Sequence, residues 1–150
     1  MVAAIMRAIE NNKPILDTKY RSSISKKEFE EILRGNVEIP LLEERWNITK
    51  EVASRLLEKY DGNFVKLVKQ ANGDAVKLLD IIISAFPSFD DVSTFNGKKI
   101  YFYKRAQLLV SDIYQLFGGE GYGNLINIDQ LTACADYKLP QSLRTLGIIS

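Results

Sequence analysis

Carboxylates carry most of the chemical potential of this sequence, because the other common catalytic groups are missing. The 150 residues include no histidine and one cysteine, Cys134. That inventory removes Ser-His-Asp triads, Cys-His dyads, histidine metal sites, disulfides and CxxC motifs together. Any catalysis must come from carboxylates, lysines, tyrosines or bound ions. Asp136 is the leading candidate: it lies between two short apolar segments, flanked by Ala135 and Tyr137, where partial burial would hold a carboxylate against a ligand. An Asx-type turn is the competing reading. The cap position expected before Pro140 is Leu139, so capping of the following helix alone does not account for Asp136.

Three other constellations invite a functional reading. Phe86-Pro87-Ser88-Phe89-Asp90-Asp91 places two carboxylates beside aromatic rings; it reads as an ordinary turn or cap, or as a pocket wall in which Phe89 stacks and one of the two aspartates orients a ligand. Lys98, Lys99, Lys104 and Arg105 cluster at the start of a helix, where positive charge opposes the helix dipole. They form either a solvated face or an anion site suited to a phosphate monoester. The run Gly118-Gly119-Glu120-Gly121-Tyr122-Gly123 lacks the Lys-Ser/Thr of a phosphate loop and follows a helix, so it reads as a mobile loop between helices. Cys134, with no histidine to activate it, reads as a small core residue, and Trp46, Tyr60 and Phe64 fall at core spacing.

The elements that must position these groups are helical. Turn signals at Gly35-Asn36, Asp61-Gly62-Asn63, Asn72-Gly73-Asp74, Asn96-Gly97 and Gly118-Gly119 separate segments of helical periodicity. Val2, Ile5, Ile9 and neighbouring alanines make one stripe. Ser25-Lys26-Lys27-Glu28 has the capping-box pattern ahead of Phe29, Ile32 and Leu33. Pro40 suits a first helical position before a long helix through Leu42, Trp46, Ala53, Leu56 and Tyr60. Asn63 and Asp74 suit N-caps, and Ala75 to Ala85 reads as a buried helix ended by Pro87. Asn96-Gly97 predicts a hairpin, the one credible β element, before a helix through Ala106, Val110, Ile113 and Phe117. Asp129 is expected to cap a short helix through Ala135, and Pro140 to open another through Leu146, with Asp136 in the turn between them. The fold class is thus all-α with at most one small β-hairpin.

A composition of 46% hydrophobic and 26% charged residues fits one globular domain without a membrane span, and its length closes one sizeable core. Twenty basic residues against nineteen acidic leave +1, which offers no global field for a polyanion. The apolar stretch Met1 to Met6 is broken by Arg7 and is too short for a secretory core, so the cytosol is the expected compartment. Met1 enters an apolar stripe with no capping residue before it, and the chain closes on Ile148-Ile149-Ser150. Both ends therefore read as core cut open, and the chain as a single helical domain forming part of a larger one.

Longer motifs carry a resemblance. Pro40-Leu41-Leu42-Glu43-Glu44-Arg45, Phe86-Pro87-Ser88-Phe89, Phe102-Tyr103-Lys104-Arg105-Ala106-Gln107-Leu108-Leu109-Val110 and Ala135-Asp136-Tyr137-Lys138-Leu139-Pro140-Gln141, followed by Leu146-Gly147, resemble the queuosine salvage proteins, which are queuosine 5′-phosphate N-glycosylase/hydrolases. The resemblance runs from about Val2 to Ser150. It implies a helical bundle like that of the helical DNA glycosylases, acting on a free nucleotide to release queuine and ribose 5-phosphate, with no metal or organic cofactor, no direct tRNA binding and no membrane; it leaves the oligomeric state open. It also implies that this chain corresponds to the middle of a longer protein. Asp136 matches the family's pocket aspartate and is the implied catalytic group. Cys134, where the family usually has phenylalanine, and Tyr137 stand beside it. Phe89, Asp90, Lys104 and Arg105 are the remaining candidates for binding substrate, the two cations for its 5′-phosphate and Asp90 for the amine of queuine. The alternative is a non-catalytic helical module that binds a nucleotide, a nucleic acid or a protein.

Overall fold

The computed structural model describes residues 2–149. In chain order it holds α1 (Val2–Glu10), α2 (Thr18–Ser23), α3 (Lys26–Leu33), α4 (Leu42–Tyr60), α5 (Phe64–Gln70), α6 (Ala75–Ala85), β1 (Val92–Phe95), β2 (Lys98–Tyr101), α7 (Lys104–Leu116) and α8 (Lys138–Thr145). Short 3₁₀ turns lie at Pro87–Phe89, Gly121–Gly123 and Ile128–Gln130. The fold is mainly α with one small hairpin, as the turn and periodicity signals predict. Two compact units divide it, the first running to Lys66 and the second starting at Leu67.

In the first unit α1 packs on α3 and α2 on α4. The inward face of α1 is made by Ala4 and Ala8, one turn apart, with Ile5 packed beside them, whereas Val2, Met6 and Ile9 point outward. The expected stripe is corrected accordingly: the small residues bring the α1 backbone close to α3, and Arg7 then reaches the carbonyls of Ile32 and Arg34 at the end of α3, at 2.9 and 2.7 Å. Those bonds satisfy acceptors that a helix C-terminus leaves open. Ser25 accepts from the Glu28 N–H as a capping residue should. Ala4, Ala8, Ile15, Ile24, Phe29, Ile32 and Leu33 form the core, with Trp46 packed against it and its indole N–H donated to the Ile24 carbonyl. Pro40 does not open α4. The helix starts at Leu42, after Leu41 in the left-handed region at φ 57°, and it ends at Asp61 and Gly62, where the Gly62 N–H returns to the Leu56 carbonyl.

The second unit is built on α6 and α7. Asp74 caps α6 by accepting from the Lys77 N–H, and Ala75, Leu78, Ile82 and Ala85 are buried. Facing them on α7 are Ala106, Gln107, Val110 and Ile113. Between the two helices the hairpin pairs Val92 with Tyr101 and Phe95 with Lys98. Asn96 and Gly97 both take positive φ, 48° and 74°, which is the type I′ geometry that matches strand twist. The glycine-rich run after α7 is a chain of tight turns, and Gly123 is buried within it. A β-carbon there would stand 2.7 Å from Cβ of Phe117 and 3.1 Å from the Ile113 carbonyl oxygen. Gly123→Ala is therefore expected to cost about 1–3 kcal/mol through overpacking, read as a lower urea midpoint.

The C-terminal region departs most from the sequence expectation. Asp129 is not an N-cap; Asn127, at φ 60°, precedes the 3₁₀ turn Ile128–Gln130, and Asp129 lies within that turn. No helix runs to Ala135, and 131–136 is irregular. Asn127 is drawn elsewhere: its side-chain amide donates to Asp74 at 2.7 Å. Meanwhile α8 begins at Lys138, two residues before Pro140. The first turn of a helix uses none of its N–H groups internally, so proline fits there beyond the first position.

Candidate active site

The site is assembled from three pieces of the second unit: the turn after α6, the first turn of α7, and the irregular run leading into α8. Asp91 joins the first two. Its backbone carbonyl accepts from the Phe102 and Tyr103 N–H groups, and its carboxylate accepts from the Lys104 N–H at 3.0 and 3.2 Å. Tyr103, at φ 47°, bends the chain so that this first α7 N–H meets the acid. The positive cluster expected to oppose the helix dipole is thus countered by Asp91 at the same helix end. Asp91→Ala should lower stability by about 0.5–2 kcal/mol, as for loss of a capping acid, measurable by denaturant unfolding.

Lys104 joins the second piece to the third. Its ammonium lies 2.9 Å from Oδ2 of Asp136, and both side chains are about a third exposed, at 32% each. The other oxygen, Oδ1, accepts from the Lys138 N–H at 3.0 Å, while the Asp136 carbonyl accepts from the Leu139 N–H. Asp136 therefore does make an Asx-type turn at the start of α8, a role that the expected cap at Leu139 obscured. These contacts hold its carboxyl below the usual aspartate range: first the Lys138 N–H, then the hydrogen bond from Lys104. Because the value is depressed, the stabilising contacts are fully present above the ordinary aspartate value and are lost as pH falls through the folded one. At neutral pH the group is an anion, fit to be a nucleophile or an electrostatic stabiliser and unfit to be a general acid.

The remaining candidates are placed as follows. Arg105 donates to the Ser88 carbonyl at 2.7 Å, which ties α7 to the turn. Phe89 is half-buried, its ring 5.6 Å from that of Phe86. Asp90 is exposed, so the neighbouring Asp91 is the acid that engages α7. Cys134 is half-buried, and its carbonyl accepts from the Asp136 N–H at 2.8 Å. Tyr137 is exposed, with the Lys138 ammonium 5.1 Å from its ring centre. Lys98 and Lys99 lie on the exposed strand β2. The structure thus brings together Asp136, Lys104, Cys134 and Tyr137, and links Arg105 to the segment bearing Phe89. The Asp136 carboxylate faces Lys104, and the cavities lined by Arg7, Asn11 and Glu31, and by Leu109, Ile113 and Leu116, lie elsewhere. Among the described residues no group of three acids or thiols is arranged to hold a metal ion.

Two contributors were not singled out from sequence. Asp91 was shadowed by Asp90. For Gln107 the available signal is a polar residue beside Ala106 on a helix face that continues through Val110.

A family model for queuosine salvage proteins matches residues 1–150. Queuosine 5′-phosphate N-glycosylase/hydrolase of Sphaerobacter thermophilus is 44% identical over 149 residues, covering 99% of this chain and 46% of the relative. The protein of the same name from Bos taurus is 40% identical over 151 residues, covering 99% and 44%. That from Schizosaccharomyces pombe is 34% identical over 157 residues, covering 100% and 45%. The chain spans about half the length of the curated relatives it matches.

Proposed function

Because the chain belongs to the queuosine salvage protein family, we propose that it supplies the carboxylate side of a site that hydrolyses the N-glycosidic bond of queuosine 5′-phosphate. The observation that carries this reading is the ionised Asp136 held against Lys104. Cleavage of the bond between sugar C1′ and the base leaves positive charge on the sugar while the bonding electrons depart with the base. A carboxylate fixed beside C1′ stabilises that charge or traps it covalently. Water then delivers hydroxide to C1′ and a proton to the base, giving ribose 5-phosphate and queuine. The base is a 7-deazapurine with no ring N7 to protonate, so more of the work falls on the carboxylate.

In the resting site Asp136 is paired with Lys104 and accepts from the Lys138 N–H. As the sugar becomes cationic it takes over the carboxylate, and the ammonium turns toward the 5′-phosphate, assisted by Arg105. Asp90 pairs with the secondary amine of queuine, and Phe89, Cys134 and Tyr137 border the base. The substrate is a free nucleotide rather than tRNA, and the proposed compartment is the cytosol. No described helix is long and apolar enough to cross a membrane.

The test compares queuosine 5′-phosphate with guanosine 5′-phosphate in a base-release assay. Release of queuine, with little or no guanine, supports the proposal. Saturable binding of queuosine 5′-phosphate without release would instead make this chain the non-catalytic nucleotide-binding module. Neither release nor binding would overturn both readings.

A further inference from the structure

We propose that Gln107 is a positioning residue for the Asp136 segment, acting through Thr132. The inference rests on the reading of Asp136 as the reacting carboxylate. Gln107 is only 6% exposed and is the buried polar side chain of the described residues. Its amide is used on both ends: Nε2 donates to the Phe102 carbonyl at 2.9 Å, and Oε1 accepts from the Thr132 N–H at 2.7 Å and the Thr132 hydroxyl at 3.0 Å. An apolar side chain here would leave the Thr132 N–H and the Phe102 carbonyl without these partners.

The geometry explains why the amide sits there. Residues 131–136 form neither helix nor strand, so no ladder of backbone bonds fixes them. Lys104 and Gln107 are three residues apart on one face of α7. They grip the irregular run at two points, Asp136 and Thr132, four residues apart. The Phe102 bond also secures the bend at Tyr103 that launches α7. One buried amide thus sets the distance between the helix that carries the cation and the irregular run that carries the acid.

The experiment reads the carboxyl titration of Asp136 by ¹³C NMR in the whole chain labelled at aspartate carboxyl carbons, with the signal assigned from its loss in Asp136→Asn. The groups acting on this carboxyl are the Lys104 ammonium, the Lys138 N–H and the Lys138 side-chain charge. In the parent protein the midpoint should lie below the ordinary aspartate value. In Gln107→Leu it should rise by about half a pH unit or more as the Lys104 contact loosens, with cooperative unfolding retained. Thr132→Ser, which keeps both donors, should match the parent. Where Gln107→Leu does not fold, Thr132→Pro removes both donors at an exposed position and should raise the midpoint in the same way. A folded Gln107→Leu or Thr132→Pro variant with an unchanged Asp136 midpoint would reduce Gln107 to a packing role and overturn the inference. Because the titration needs no turnover, it is decided separately from whether the chain releases queuine.

Discussion

Asp136→Asn is expected to lower queuine release by at least about 10²–10³-fold, the loss typical when a preorganised electrostatic group is removed from a transition state. The substitution is close to isosteric. Its side-chain oxygen can still accept from the Lys138 N–H, so the start of α8 is kept. It cannot carry the negative charge that answers the forming sugar cation, nor hold Lys104 as an ion pair. Since the pair is about a third exposed, water takes over much of what each partner loses, and the melting curve should move little. Substrate binding should suffer less than turnover, because the charge on the sugar develops only on the way to the transition state. Chromatographic measurement of queuine from queuosine 5′-phosphate checks the first expectation and calorimetry the second. Release at the parent rate would remove Asp136 from the chemistry.

Phe86→Ala should be the most damaging single truncation for the fold of the second unit, at about 3–5 kcal/mol. Phe86 is 1% exposed and among the largest of the fully buried side chains. Its backbone closes α6 through the Ile82 carbonyl and accepts from the Phe89 N–H. Alanine can keep both bonds, so the loss reports the emptied ring volume and the vanished contact with Phe89. The damage should spread. Phe86 roots the turn that offers Ser88 to Arg105 and Asp91 to the head of α7. Equilibrium urea unfolding measures the effect, and a loss below about 1 kcal/mol would show that neighbouring side chains close over the gap.

Much of this architecture was legible from local rules. Asn96-Gly97 forced the hairpin because both residues accept positive φ. Ser25, Asn63 and Asp74 accept from helix N–H groups as their side-chain chemistry dictates. What escaped was decided by contacts distant in sequence. α2 buries none of its residues completely and offers no apolar stripe, only the Asp17 cap. The helix expected after Asp129 fails because Thr132 is captured by Gln107, 25 residues earlier. Pro40 and Pro140 each fit more than one place near a helix start, and spacing alone did not choose between them. For the site, Asp136 and Lys104 could each be picked out, but their pairing required the fold. The part Asp91 plays at the head of α7 is hidden in the sequence because two adjacent acids look alike until one meets an N–H.

The bond from Asn127 to Asp74, beside an isolated parallel bridge between Asp74 and Ile126, bears on how the protein is made. Ala75 donates to the Ile126 carbonyl, Ile126 donates to Gly73, and Asn127 closes on Asp74 across a separation of 53 residues. During synthesis α6 leaves the ribosome long before these partners exist, with its apolar surface uncovered. That surface is covered once α7 has emerged and the N-terminal end of α6 is closed only once Asn127 has followed, so the nascent chain passes through a window in which chaperone capture and aggregation compete with closure.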